Sequence, residues 1–123
     1  MIGLNFKNIT HVDHYHKIHS KLAEVVNFTA KTAWCDFRTR LEVTSIYRDG
    51  GGVHGVYRGI DLVPVGRSID IMEALRNLIN CTFDYGKEGL EVCPDIYHGT
   101  APHLHLQVRD STLRKRYEEE MVD

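Results

Sequence analysis

A chain of 123 residues has room for one hydrophobic core and little else, and its 42% apolar content excludes a disordered polymer. A net charge of −2 with histidine neutral offers no basic surface to nucleic acid or to an anionic membrane. No apolar stretch approaches the length of a membrane span, so membrane insertion is excluded as an expectation.

In chain order, Ile18, Leu22, Val25, Val26, Thr29 and Ala33 recur at three- and four-residue spacing, which predicts one helix over about 13–33. The run Leu41 to Tyr47 is short and rich in β-branched residues, so it reads as a strand. Asp49-Gly50-Gly51-Gly52 reads as a turn or flexible loop. Gly59 to Val63 reads as a second strand that stops at Pro64 or just after it. Ser68 is placed to cap a second helix whose apolar face is Ile71, Met72, Leu75, Leu78 and Ile79. Leu90 to Cys93 is a weak third strand, and Pro102 to Val108 alternates as a fourth. The charged tail from Arg109 reads as a solvated helix or a frayed end. Without strict strand–helix alternation, the expectation is one α+β domain over 1–123. Its core spans about 13–109, its tail 110–123, and a mainly antiparallel sheet is packed by helices.

Chemistry gathers at His54, Asp61 and the pair His103-x-His105. Two imidazoles and a carboxylate form a three-ligand set for zinc with the fourth corner open, which is the catalytic pattern. Strand residues two apart share a face, so both imidazoles of the pair lie on one side, roughly 6.5–7 Å apart along the strand, while Leu104 and Leu106 take the other side. His54 and Asp61 are separated by an odd number of residues, so His54 belongs to the glycine-bearing loop and Asp61 to the strand. The alternative is a half-exposed strand with surface histidines and an edge carboxylate.

Ser45-Ile46-Tyr47-Arg48, then His54-x6-Asp61, then His103-x-His105, occur in that order. Over about Leu41–Val108 the chain thereby resembles the zinc metallopeptidases that include D-alanyl-D-alanine carboxypeptidases, L-alanyl-D-glutamate endolysins and the hedgehog signalling domain. The resemblance implies a hedgehog/DD-peptidase-like fold, with zinc held by His54, Asp61 and His105. It places Arg48 against the scissile carbonyl or a substrate carboxylate, and His103 beside the zinc-bound water. It implies hydrolysis of an amide bond in peptidoglycan stem peptides. The alternatives are a metal-binding module without catalysis, or a phage structural or accessory protein that keeps the fold.

The chain departs from the family pattern at Tyr57 and Gly59, where Gly and Ala are usual, and at Pro102, where many members carry a catalytic Glu. His103 is then the first candidate for the general base, ahead of His98 and Asp95, each of which fits a strand-end or turn role better.

His11, His14, His16 and His19 make a second metal conceivable, but a solvated, histidine-rich helix start accounts for them better. Trp34 and Tyr47 could line a groove, although aromatics at element ends more often pack in the core. Cys35, Cys81 and Cys93 form no C-x-x-C and cannot all pair, so they are expected as reduced, buried thiols. The first residues lack the basic start and apolar run of a secretory leader, so cytoplasmic synthesis is expected, with access to the cell wall by a phage lysis route.

Overall fold

The computed structural model describes residues 3–46, 52, 56–97, 99 and 101–115. Among these, strand β1 (Leu4–Phe6) is followed by helices α1 (Ile9–Tyr15) and α2 (Ser20–Phe37) and strands β2 (Leu41–Ser45) and β3 (Gly59–Pro64). Helix α3 (Ile69–Thr82) and strands β4 (Phe83–Asp84), β5 (Leu104–Gln107) and β6 (Leu113–Arg114) complete the order. The main sheet runs β1-β2-β3-β5, and β4 and β6 form a separate two-stranded sheet. The domain is α+β. Its main sheet is mixed, because β1 joins β2 in parallel while β2–β3 and β3–β5 are antiparallel. At three residues, β1 is too short to announce itself by alternation.

The helix expected over 13–33 is two helices. Asn8 caps α1 by accepting the His11 amide, and the chain leaves α1 through His16. His19 is extended (φ −57°, ψ 141°), and its Nδ1 accepts the Lys21 amide at 3.1 Å, so it caps α2. A neutral imidazole that accepts at Nδ1 carries its proton on Nε2, and His19 Nε2 lies 3.3 Å from Asp110 Oδ1. Arg58 also reaches Asp110, at 2.9 Å, and Lys21 Nζ donates to the Thr112 carbonyl at 2.7 Å. His16 and His19 therefore stand at a break between helices rather than on a shared helical face. The break is hard to see in the sequence because histidine is not among the usual N-caps.

The core lies between one face of the main sheet and helices α2 and α3. Leu22, Val25, Val26, Ala30 and Ala33 of α2 and Met72, Leu75 and Ile79 of α3 meet Leu41, Val43, Ile60, Leu62, Leu104 and Leu106 of the sheet. Ser68 caps α3 by accepting the Ile71 amide at 3.2 Å, and Asp70 stands in the first turn, where a carboxylate suits the helix dipole. Leu78, expected on the apolar face, is 39% exposed, and Thr82 takes the inward position one turn on.

Leu90 to Cys93 is not a strand. Val92 and Cys93 are buried, and the segment's backbone is met from two sides, by Gln107 of β5 at the Glu91 and Val92 carbonyls and by α3 side chains at Cys93. Asn80 accepts the Cys93 amide at 3.0 Å and donates to the Cys93 carbonyl at 2.8 Å. Arg76 Nε donates to the carbonyls of Cys93 and Pro94, and its guanidinium meets Glu91 at 2.8 Å. The described part of the tail, up to Lys115, departs from expectation too, the rest lying outside the described residues: Leu113 and Arg114 pair with β4, and Arg114 lies over the Phe28 and Phe83 rings. Gly86 shows how closely these segments meet, since a Cβ there would fall 2.3 Å from Ser111 Oγ. Cys35 and Cys81 are exposed and only Cys93 is buried, which corrects the expectation of three buried thiols. Trp34 is 39% exposed, flanked by the guanidinium groups of Arg38 and Arg40. Among the described residues no helix is long and apolar enough to cross a membrane.

Two measurements check this packing. Asn80→Ala strands the Cys93 amide and leaves the Cys93 carbonyl to Arg76 alone, and should cost about 1–3 kcal/mol in urea unfolding. The Arg58 guanidinium, helped by His19, holds the Asp110 carboxyl below its usual range. Its contribution is therefore present above the ordinary aspartate value and is lost as pH falls through the lowered one. The stability difference between wild type and Asp110→Asn should be small at neutral pH, as for any exposed pair, and should vanish on acidification.

Candidate metal centre

Strand β3 is buried along all six residues, so it is covered on both faces. Ile60 and Leu62 face the helices. Asp61, of opposite parity, faces the other side, and so does His105, its partner in the β3–β5 register. Ser45 pairs with Asp61 from β2 across a register shift between Val43 and Ser45. Such an irregularity re-aims the strand beside a site, and here Thr44 Oγ1 donates to the Asp61 carbonyl at 3.3 Å. Ser45, Asp61 and His105 thus form one row across three strands.

Asp61 Oδ1 stands 2.9 Å from His105 Nδ1 and 3.6 Å from His103 Nε2. Asp61 is 8% exposed and His105 9%, so both are largely withdrawn from water yet still border an open hollow. The hollow, about 520 Å³, is lined by Ser45, Asp61, Pro102, His103 and His105, with Lys7 and Arg67 also on its wall. His103 Nδ1 lies 2.8 Å from the Ala101 carbonyl, an acceptor only. That nitrogen therefore carries the proton, and the Nε2 lone pair of the neutral ring is turned toward Asp61. A larger hollow of about 670 Å³ runs along α2, but no histidine lines it.

The donor set suits zinc. Imidazole nitrogen and carboxylate oxygen bind it at about 2.0–2.2 Å, which sets two tetrahedral ligands roughly 3.3 Å apart. The Asp61–His105 separation of 2.9 Å is shorter than that edge and is that of a direct hydrogen bond. Among the described residues no group of three or more His, Cys, Asp and Glu side chains is arranged to hold a metal. Of the expected ligand set, Asp61 and His105 are brought together; His54 and Arg48 lie outside the described residues, as do Tyr47 and His98. Asp95 is exposed, and its carboxylate accepts the Tyr97 amide at 2.8 Å, a local turn role. Pro102 lines the hollow without bringing a carboxylate.

Three lining or supporting residues did not stand out in the sequence. Lys7 follows a strand too short to recognise, and Arg67 sits in the turn after β3 with φ 55°. Gln107 was within reach, because it shares strand parity with His105, and its Oε1 lies 3.2 Å from His105 Nε2.

Cys93 packs behind the row but is not a ligand candidate. Burial pushes its thiol up to about 12 against the opposing pull of Arg76, so it stays neutral at physiological pH. A thiol-specific reagent at neutral pH should label Cys35 and Cys81 readily and Cys93 only on unfolding, with mass spectrometry of the labelled peptides as the readout. No protein-family model matches the chain, and no curated protein matches it.

Proposed function

We propose that the chain is a zinc-dependent metallopeptidase of the carboxypeptidase, endolysin and hedgehog-domain family, hydrolysing an amide bond in peptidoglycan stem peptides. The observation that carries this reading is the approach of Asp61 Oδ1 to His105 Nδ1 at 2.9 Å on the wall of a hollow that His103 also lines. Asp61 and His105 would hold the ion, with His54 as the third ligand.

The chemistry supplied by bound zinc is Lewis acidity toward a carbonyl and toward water. His103, fixed through Nδ1 by the Ala101 carbonyl, presents Nε2 to take a proton from the attacking water and return it to the leaving amine. Arg48 would stabilise the developing oxyanion or dock a carboxylate. Lys7 and Arg67 add positive charge to the hollow, which suits a stem peptide bearing several carboxylates. A wall substrate also requires the protein to reach the wall, and a phage lysis route would provide that.

A second reading, a metal-binding module without catalysis, is favoured by one observation: Pro102 stands where many relatives carry the catalytic carboxylate. Amine release from purified walls separates the two readings. On the peptidase reading, zinc-loaded protein releases new amines. His103→Ala keeps its zinc but loses about 10²–10⁴-fold in rate, whereas Asp61→Ala and His105→Ala lose the zinc. Bound zinc with no amines released from any wall type favours the module instead. A loss of zinc in His103→Ala as large as in His105→Ala overturns the role given to His103.

A further inference from the structure

Arg67 differs from every other described arginine. Arg38 and Arg40 lie over Trp34, Arg58 meets Asp110, and Arg76 meets Glu91. Arg109 lies over Tyr85, and Arg114 over Phe28 and Phe83. Among the described residues the Arg67 guanidinium has no hydrogen-bond, ion-pair or ring partner. It is exposed on the wall of the hollow that Asp61, His103 and His105 also line.

The backbone adds a second observation. Pro64 to Arg67 form a turn closed by the Arg67 amide, which donates to the Pro64 carbonyl at 2.8 Å. Gly66 takes φ 89° there, as a glycine readily does, but Arg67 follows at φ 55°. That region costs little for glycine and is unfavourable for a long side chain. The cap of α3 is made by Ser68, not by the Arg67 side chain. Local stability therefore favours glycine at 67, and a side chain held against that preference is the pattern of a ligand clamp.

Lys7 borders the same hollow just past β1. Its contact with Glu42 is loose, at 4.0 Å, and its side chain is 48% exposed. Among the described lining residues the one carboxylate is Asp61, which already meets His105 at 2.9 Å. Two cations thus border a hollow whose own acidic group is engaged, so charge complementarity calls for an anionic occupant. A volume of about 520 Å³ suits a short peptide better than a lone ion.

We propose that Arg67 is a specificity-determining residue that docks a carboxylate of a short acidic peptide in this hollow, with Lys7 as its weaker partner. This rests on the peptidase reading for the peptide, and the dock itself needs no bound metal. A guanidinium grips a carboxylate through two parallel N–H···O bonds, which an ammonium cannot do.

Binding to the metal-free full chain tests it, read by ¹H–¹⁵N chemical-shift titration. The probes are acetyl-alanyl-glutamate and its neutral counterpart, acetyl-alanyl-glutamine amide. Wild-type protein should bind the acidic peptide about tenfold or more tightly than the neutral one. The shifts should centre on the hollow, and the affinity should fall as salt is raised. Arg67→Gly should abolish the preference while unfolding in urea at a midpoint no lower than wild type. Arg67→Lys should keep part of the preference, and Lys7→Ala should lose less of it than Arg67→Gly. Equal binding of the two peptides by wild type, an undiminished preference in Arg67→Gly, or shifts confined to another surface overturns the proposal. So does a lowered unfolding midpoint in Arg67→Gly, which would make the arginine a structural residue. Carboxylate-selective binding with no amines released from walls by zinc-loaded protein removes the peptidase reading alone. Amine release by a protein indifferent to the carboxylate removes the dock alone.

Discussion

Everything proposed for this molecule hangs on the cross-strand pairing of Asp61 with His105. The register of β3 against β5 puts the two directly opposite one another, and the same register sends Ile60, Leu62, Leu104 and Leu106 into the core. Each of those four side chains is fully buried and stabilises the fold by roughly 1.5–3 kcal/mol. A slip of one residue would turn all four away from the helices and drive a carboxylate and an imidazole into the apolar layer. The site therefore needs no register device of its own: the hydrophobic effect on one face of the sheet fixes the polar pair on the other.

The pair is supported from behind by polar contacts that converge from α3. Arg76 and Asn80 satisfy the backbone of the segment through Cys93 and Pro94, and that segment supplies the carbonyl that orients Gln107. These contacts hold the segment beside β5 against α3.

Much of this was legible in the sequence, and the reasons differ by element. The parity of His103, His105 and the intervening leucines is a property of any strand, and the alternation over 102–108 showed it. Ser68 is a standard cap and functions as one. The α2 start was missed because a histidine caps it, and β1 was missed because three residues carry too little periodicity. Leu90 to Cys93 looked like a strand because buried aliphatics serve a strand or a clamped loop equally well; only the positions of Arg76 and Asn80, remote in sequence, decide between them. At the site, the sequence order of Ser45 to Arg48, His54, Asp61 and the histidine pair carried the expected ligand set, of which Asp61, His103 and His105 line one hollow while Arg48 and His54 lie outside the described residues. Gln107 was within reach by its parity with His105, but which end of its amide faces the ring depends on the carbonyl of Glu91.

The central claim is that Asp61 and His105 are two corners of a zinc site. A crystal structure grown with zinc, read from anomalous scattering at the zinc edge, tests it most directly. The account predicts an ion within about 2.0–2.2 Å of an Asp61 carboxylate oxygen and of a His105 ring nitrogen. Zinc bound elsewhere would contradict it.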